Sequence, residues 1–309
     1  MFVGGSFSQI GFNTGSAAKL TTTSDVPDQD LPRITSGAVY ASIPDGNGGW
    51  YLGGSFSYVV NGQTRYYLAH LLADKTFDPN FNPQPNGYPE KLILSGSTLY
   101  VAGSFSQIGG QTRSQLAALN AATGQATSFN PQPNSTVHDM ALSGTTLYVG
   151  GSFSQIAGQN QRYFAALNTT NGQVLPTIEV NSTVYTVASN GTNTYLGGTF
   201  SQVGGQNRQY VASLVNSTGQ LTGFNPQPNS YVEDMLLSGT TLYLRGSFSQ
   251  IGTLNRSRLA SINTTTGQLT DFNPQNNGGI ETMALSGSTL FVGAPLPRLA
   301  GRTDRTWRL

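Results

Sequence analysis

The feature that most constrains this chain is an internal repeat with a period of about 48 residues. Its marker is the segment Gly-Gly-Ser-Phe-Ser, or a close variant of it, which returns at regular intervals. The phenylalanines of the successive copies are Phe7, Phe56, Phe105, Phe153, Phe200 and Phe248, and a further copy begins at Phe291. Such self-similarity is typical of folds in which each unit buries its apolar faces only against its neighbours.

Each repeat contains four short apolar segments, which we call A, B, C and D in chain order. In one unit, A, B and C span residues 136–142, 147–153 and 164–168, and D follows the turn at Asn171-Gly172. They are rich in β-branched and aromatic residues and are bounded by Gly, Asn, Ser or Pro, which predicts strands. Ser-Gly or Asn-Gly links A to B, and Gly-Gln links C to D, as tight antiparallel turns require. No window has helical apolar spacing.

Segments B and C are apolar on both alternating faces, which indicates that each four-stranded sheet is covered on both sides. Stacked copies satisfy this requirement, so we predict an all-β fold consisting of a single β-propeller with four-stranded antiparallel blades. A β-solenoid or a row of independent sandwiches fits less well, because solenoid coils are shorter and one meander cannot bury both of its faces. The predicted strands fill six blades with one strand left over, and seven blades remain the alternative. Residues 1–293 form the predicted propeller, and residues 294–309 form an atypical, Arg-rich C-terminal tail.

Composition excludes several classes of function. Charged residues make up only 9% of the chain and the net charge is +1, so we expect no nucleic-acid partner and no membrane insertion. There is no cysteine, which excludes thiolate catalysis and cysteine-ligated metals. We find no signal peptide in the sequence and expect a monomer or a part of a longer chain.

Several stretches resemble a known repeat family. They are the hairpin at 45–56, the Phe-Asp-Pro-Asn-Phe-Asn-Pro segment at 77–83 and the Gly-Gln-Thr-Arg link. These look like the delta-60 β-propeller repeat of large secreted or surface bacterial proteins, and the resemblance covers residues 2–292. Residues 21–30 and 178–180 depart from the pattern. The resemblance implies the fold and an extracellular or cell-surface location, and it implies no catalytic residues.

Antiparallel strand order places the B–C and D–A connections at one end of the sheets and the tight A–B and C–D turns at the other. The longer loops, such as Asn-Pro-Gln-Pro-Asn, therefore share an end with the start of every A segment. Near the start of the A segments, the equivalent positions are Tyr40, Glu90, His138, Tyr185, Glu233 and Glu281. We predict that they ring a channel mouth and bind a cation, a glycan or a protein ligand. A hydrated channel lining without a ligand is the alternative.

Other polar residues give weaker signals. Asp25, Asp28 and Asp30 form an acidic loop with oxygen ligands for calcium, but they lack EF-hand spacing, and a solvated loop is the preferred interpretation. His70 replaces an alanine of other repeats and is predicted to be structural. Asp139 and Asp234 are predicted to point between blades or to brace backbone amides. The loop arginines are predicted to cap carbonyls or to cover blade edges, at Arg65, Arg113, Arg162, Arg208 and Arg256.

Three classes of function remain open. A non-catalytic binding or adhesion module fits the regular repeats, the few titratable groups and the polar loops. A carbohydrate-active enzyme needs two carboxylates that flank a bond, and the glutamates of the A segments are the candidates. A passive spacer in a larger surface protein is the third. Because the acidic residues occupy equivalent positions in successive repeats, the sequence favours binding over catalysis, with no cofactor.

Overall fold

The computed structural model shows an all-β chain in which no described residue is helical. It describes residues 2–4, 17–19, 34, 36–276, 278–286, 289–293 and 306–308. The acidic loop with Asp25, Asp28 and Asp30, the first repeat's Phe7 and residues 294–305 lie outside the described residues.

Six strands correspond to the predicted A segments, and each begins where a long loop ends. They are β3 (Val39–Pro44), β6 (Tyr88–Ser95), β11 (Val137–Ser143), β15 (Val184–Ser189), β20 (Val232–Ser238) and β25 (Thr282–Ser286). Positive φ angles at the following glycines turn the chain back, for example 55° at Gly96 and 56° at Gly144, as predicted for tight hairpins.

The B and C segments form the paired centres of the sheets. The B strands are β1 (Phe2–Gly4), β4 (Trp50–Val60), β7 (Thr98–Ser104), β12 (Thr146–Gly151), β16 (Asn193–Gly198), β21 (Thr241–Gly246) and β26 (Thr289–Gly293). The C strands are β2 (Ala17–Lys19), β5 (Gln63–Leu71), β10 (Leu116–Asn120), β13 (Phe164–Asn168), β19 (Val211–Val215) and β24 (Leu259–Asn263). A strand in the tail, β27 (Thr306–Arg308), pairs antiparallel with β26.

The D segments are the weakest part of each sheet. One of them is a strand, β14 (Val174–Leu175), which makes the sheet β11-β12-β13-β14 four-stranded. In the other sheets that have a described D segment, it joins strand C through a single bridge, at Leu71–Phe77, Leu119–Ala126, Leu214–Leu221 and Ile262–Leu269.

Three of the B–C connections contain small two-stranded hairpins that the sequence did not predict. Their strands are β8 (Gln107–Ile108) with β9 (Gln111–Thr112), β17 (Gln202–Val203) with β18 (Gln206–Asn207), and β22 (Gln250–Ile251) with β23 (Leu254–Asn255). They give the long loops a backbone framework of their own.

The repeated phenylalanines are buried core residues, as predicted. Phe56, Phe105, Phe153, Phe200 and Phe248 are at most 4% exposed. One core cluster joins Tyr51 and Leu68 of the sheet β3-β4-β5 to Leu99 and Val101 of the sheet β6-β7-β10 and to Phe105, which follows β7. These two consecutive sheets therefore share a core, and β7 and β10 are almost entirely buried, as the two-sided apolar pattern predicts.

The described chain divides into two compact units. The first contains Met1–His138, Phe153–Asn160 and Asn168–Gln173, and the second contains Asp139–Ser152, Gln161–Leu167 and Val174–Leu309. Each unit contains several consecutive sheets and its own part of the apolar core.

Candidate functional site

The A strands begin with an irregularity that decides where the predicted site residues point. In β3, Val39 pairs with Gly54 and Ala41 with Gly53, so Tyr40 is an extra residue between them. The same one-residue shift brackets Glu90 in β6, Tyr185 in β15 and Glu233 in β20. A β-bulge at this place re-aims the side chain that it carries, so four of the six predicted site residues are bulge residues.

The second glycine of the Gly-Gly pair permits this bulge. A Cβ atom on Gly54 would lie 2.0 Å from the carbonyl oxygen of Ala38, and one on Gly246 would lie 2.2 Å from that of Tyr231. No side chain fits at such a distance. The repeat motif is therefore required by the close approach of strand B to the start of strand A.

The serine that follows these glycines holds the bulged side chain. Ser55 accepts a hydrogen bond from the Tyr40 hydroxyl at 3.0 Å. Ser104 donates to Oε1 of Glu90 at 3.0 Å, and Ser247 donates to Oε1 of Glu233 at 3.4 Å. The Gly-Gly-Ser segment thus makes the bulge and then orients its side chain.

Two pairs of tyrosines, exposed except for the half-buried Tyr185, lie beside these residues. Tyr40 and Tyr88, 50% and 40% exposed, meet edge to face with 5.7 Å between ring centroids. Tyr185 and Tyr231 meet in the same way at 6.4 Å. Tyr88 pairs across the sheet with Ser104, whose hydroxyl bonds Glu90. The carbonyl of Tyr231 accepts from the N–H of Ser247, whose hydroxyl bonds Glu233, so both pairs lie near a carboxylate. An exposed aromatic pair beside a carboxylate can stack on an apolar ring face and accept hydrogen bonds from hydroxyls.

Arg245 is a functional candidate that the sequence reasoning missed. It occupies the position of the first glycine of the motif, where other repeats have Gly53, Ala102 or Gly150. Its side chain, 13% exposed, donates through Nη1 to Oε2 of Glu233 at 2.5 Å and to the carbonyl oxygen of Ile280 at 2.9 Å. The signal was available in the repeat alignment, because a long cation stands where the repeat otherwise has almost no side chain.

The six predicted residues fall into two groups. Tyr40, Glu90 and His138 belong to the first unit, and Tyr185, Glu233 and Glu281 belong to the second. His138 is half-buried near the start of β11, whereas Glu281 is exposed just before β25 and donates its N–H to the carbonyl of Gly293. Their arrangement as one ring stays a prediction.

The long loops are braced by an asparagine in each of four repeats. Oδ1 of Asn86 accepts hydrogen bonds from the N–H groups of Ser106 and Gln107, at 2.9 and 3.0 Å. The same bracket recurs at Asn134, Asn181 and Asn229. The bracket ties each D–A loop to the B–C connection of the repeat that follows the loop, so the loop end of the sheets is preorganised.

Four of the five loop arginines donate hydrogen bonds to backbone carbonyls, as predicted. Arg65, Arg113, Arg208 and Arg256 donate to backbone carbonyls in or beside their D segments. Arg162 is the exception. Gln161 stands at the equivalent position, and Arg162 is exposed one residue later.

His70 forms a buried polar cluster at the short-turn end. Its Nε2 lies 3.2 Å from Oδ2 of Asp45, and its Nδ1 lies 3.0 Å from Oδ2 of Asp78. The imidazole stacks on the Tyr51 ring at 4.2 Å. Burial opposes ionisation of Asp45, but hydrogen bonds from the N–H groups of Asn47 and Gly49 and from His70 outweigh it and lower the pKa of Asp45. The cluster joins two turns and supports the structural interpretation of His70.

The inner strands of the second unit are linked by a polar relay. Oδ2 of Asp139 accepts hydrogen bonds from the Val187 N–H at 2.9 Å and from the Thr186 hydroxyl at 3.0 Å. The Thr186 oxygen in turn accepts from the Met235 N–H at 3.1 Å. The predicted bracing role of Asp139 is confirmed, and Thr186 does the same in the next repeat. Asp234 lies 3.8 Å from Nε of Arg245.

Two further observations concern metals and membranes. Within the described ranges, no group of three or more His, Cys, Asp or Glu side chains could hold a metal ion. Nor does the described part of the chain contain a helix long and apolar enough to cross a bilayer.

Part of the sequence matches a family model. Residues 46–81 and 98–125 match the family described as a domain of unknown function (DUF5122) with a beta-propeller fold. These stretches contain B and C strands of two successive repeats, and they confirm the resemblance to the delta-60 repeat. None of the curated proteins compared with the chain matches it.

The fold is similar to solved propeller-like structures. The WD40 domain of Neurospora crassa Pan2 matches with a TM-score of 0.55 and 10% identity over 83% of this chain and 72% of that one. The extracellular domain of BT4673 from B. thetaiotaomicron matches with a TM-score of 0.51 and 16% identity, over 82% of this chain and 30% of that one. The designed protein Ika8 matches with a TM-score of 0.48 and 13% identity, over 84% and 81%. At these identities, the first two likenesses concern the fold alone.

Proposed function

We propose that this chain is a non-catalytic binding module that carries its ligand at the long-loop end of its sheets. The observation that carries the proposal is the bulge at the start of the A strands, which presents Tyr40, Glu90, Tyr185 and Glu233 from a braced framework. Preorganised loops and oriented side chains lower the entropic cost of binding. The ligand is a glycan or a protein, and no metal or cofactor is required.

The architecture behind the proposal is a single propeller of six four-stranded blades. Six A strands follow one another along the chain, and each pairs with a B strand in the same antiparallel order. Support for a fourth strand in each blade comes from the D segments, one of which is β14 and four of which join strand C through a single bridge.

The setting is extracellular or at a cell surface, in a larger adhesion-type protein. This part of the proposal rests on the resemblance to the delta-60 repeat. The low charge of the chain fits a partner bound through aromatic and hydroxyl contacts better than one bound through a strong electrostatic field.

A glycan array probed with the full chain, once with calcium and once with EGTA, tests the proposal. We expect binding in both conditions and at least about tenfold weaker binding after Glu233→Gln with Glu281→Gln, since a charge-assisted hydrogen bond contributes about 1.5–3 kcal/mol. Glu281→Gln alone is the second variant, because Glu281 is exposed and Glu233 pairs with the half-buried Arg245.

Asp74→Asn, an exposed carboxylate change in a C–D turn, is the matched control and leaves binding unchanged. Loss of binding in the control but not in the glutamate variants would move the site to the short-turn end. Turnover of a glycoside that the glutamate variants abolish would establish the alternative, a carbohydrate-active enzyme.

A further inference from the structure

The cluster of two tyrosines and a glutamate occurs twice in the described chain. The first copy, which we call subsite 1, consists of Tyr40, Tyr88 and Glu90. The second, subsite 2, consists of Tyr185, Tyr231 and Glu233. Each takes its first tyrosine from the bulge of one A strand and its glutamate from the bulge of the next. The second tyrosine is the first residue of β6 in subsite 1 and immediately precedes β20 in subsite 2. We propose that the module is bivalent and binds one carbohydrate ring at each subsite.

The pattern is specific to these two places. The residue two positions before the aligned site residue is Tyr88 or Tyr231 in the subsites, and Ala38, Thr136, Thr183 or Gly279 in the other repeats. Each of these two tyrosines follows a repeat whose bulge residue is also a tyrosine. The subsites therefore recur three repeats apart, and each lies within one unit.

The geometry of the two copies is alike. The ring planes cross at 73° in subsite 1 and at 66° in subsite 2. In both, the carboxylate receives a hydrogen bond from the serine of the Gly-Gly-Ser segment or its variant. Within the described residues, Ser104 is the side chain that hydrogen-bonds Glu90, so the second carboxylate oxygen keeps its acceptor capacity.

The chemistry selects a neutral hexopyranose with equatorial hydroxyls. Such a ring presents C–H groups on its faces, which stack on an exposed aromatic side chain, and hydroxyls at its edge, which donate to a carboxylate. Because the two tyrosine rings are steeply inclined to each other, a sugar can stack on the face of one ring while it contacts the edge of the other. These two contacts hold the sugar beside the glutamate. Arg245 orients the glutamate of subsite 2, so that copy is positioned without relying on serine alone.

Calorimetric titration of the full chain with cellobiose tests this inference, which rests on the proposed binding function. We expect two sugars per chain. Tyr40→Ala and Tyr185→Ala each reduce the stoichiometry to one, and the double variant binds none. Glu90→Gln weakens subsite 1 without affecting the other. Tyr66→Ala, an exposed tyrosine outside both subsites, is the control and keeps both sites.

A stoichiometry of one, or a double variant that binds like the parent protein, overturns the inference. Absence of cellobiose binding at 10 mM, about the weakest range a small sugar site is expected to show, also overturns it. If the glycan array still reports a ligand that depends on Glu281, the proposed function stands and only the bivalent carbohydrate site fails.

Discussion

Phe200 shows what the repeated motif contributes at the scale of a single residue. Its side chain is fully buried and packs in a cluster with Val184, Leu196 and Val203. Phe200→Ala removes a large apolar group and leaves a cavity, so we expect a loss of about 3–5 kcal/mol in the free energy of unfolding. Urea denaturation measures it. Val59→Ala, at a position 62% exposed, is the control and changes stability by less than about 0.5 kcal/mol.

An unchanged urea midpoint in the Phe200 variant would contradict the assignment of the repeated phenylalanines to the core. The same logic applies to Phe56, which lies in a separate cluster of the first unit with Val39 and Leu52. Comparable losses in both variants are expected, because the two side chains are equally buried.

Two buried tyrosines make stability depend on alkaline pH. Burial raises the pKa of Tyr51 and of Tyr58 from 10.0 to about 12, and nearby carboxylates add to the effect on Tyr51. Both pKa values are higher in the folded chain than in the unfolded one. Their contribution to stability is therefore fully present below pH 10 and is lost as the pH rises toward 12.

Urea midpoints between pH 8 and pH 12 measure this loss. The double variant Tyr51→Phe with Tyr58→Phe cannot ionise at these positions, so its midpoint falls less steeply above pH 10 than that of the parent. At pH 8 it is less stable, because hydrogen bonds to the carbonyls of Ala121 and Leu68 are missing. Equal slopes in both proteins would refute the assignment. Tyr66→Phe, an exposed change, keeps the parent slope.

At the scale of elements, the close approach of strand B to strand A makes a sharp prediction about glycine. A Cβ on Gly198 would lie 2.1 Å from the carbonyl oxygen of Thr183, whereas one on Gly223 would meet nothing within 4 Å. We expect Gly198→Ala to cost about 1–3 kcal/mol through overpacking, or to prevent folding. Gly223→Ala changes stability little. Thermal melts of both variants compare them, and equal melting temperatures would contradict the bulge geometry.

Most of this element structure follows from the sequence. Alternating apolar residues between Gly turns predict the A, B and C strands, because strand periodicity and hairpin chemistry are local. The bulge at Tyr40 is not predictable in this way. Apolar periodicity shows which residues face the core, but it does not show which residue of strand A pairs with which residue of strand B. The register reveals the extra residue, and with it the direction of the side chain.

The candidate site follows from the sequence only in part. The sequence shows that the bulge residues occupy equivalent positions in successive repeats and that these positions are mostly polar. The contact between Tyr40 and Tyr88 could not be predicted, because it joins neighbouring sheets and depends on how those sheets stack. The Asn86 bracket similarly joins two loops that lie 20 residues apart in sequence. Arg245 could have been found from the sequence, since it stands at a position where the other repeats have glycine or alanine.

At the scale of the whole molecule, charge limits which partners the chain can take. It has 15 Lys and Arg against 14 Asp and Glu, and several of its arginines are committed to backbone carbonyls. Binding to a nucleic acid gains most of its free energy when cationic side chains displace counterions from phosphates. Arginines that already satisfy buried carbonyls contribute little to such a displacement, because they would have to leave those bonds.

We therefore expect no binding to a duplex DNA of about 20 base pairs at 150 mM salt, and at most weak binding at 50 mM. Fluorescence anisotropy measures both conditions. The four arginines at positions 298–308 are the part of the sequence best able to contradict this expectation, so a variant with Ala at Arg298, Arg302, Arg305 and Arg308 is the informative control. A micromolar affinity that falls steeply with salt and disappears in this variant would assign DNA binding to the tail. The same affinity retained in the variant would instead show that the repeats themselves carry a phosphate-binding surface.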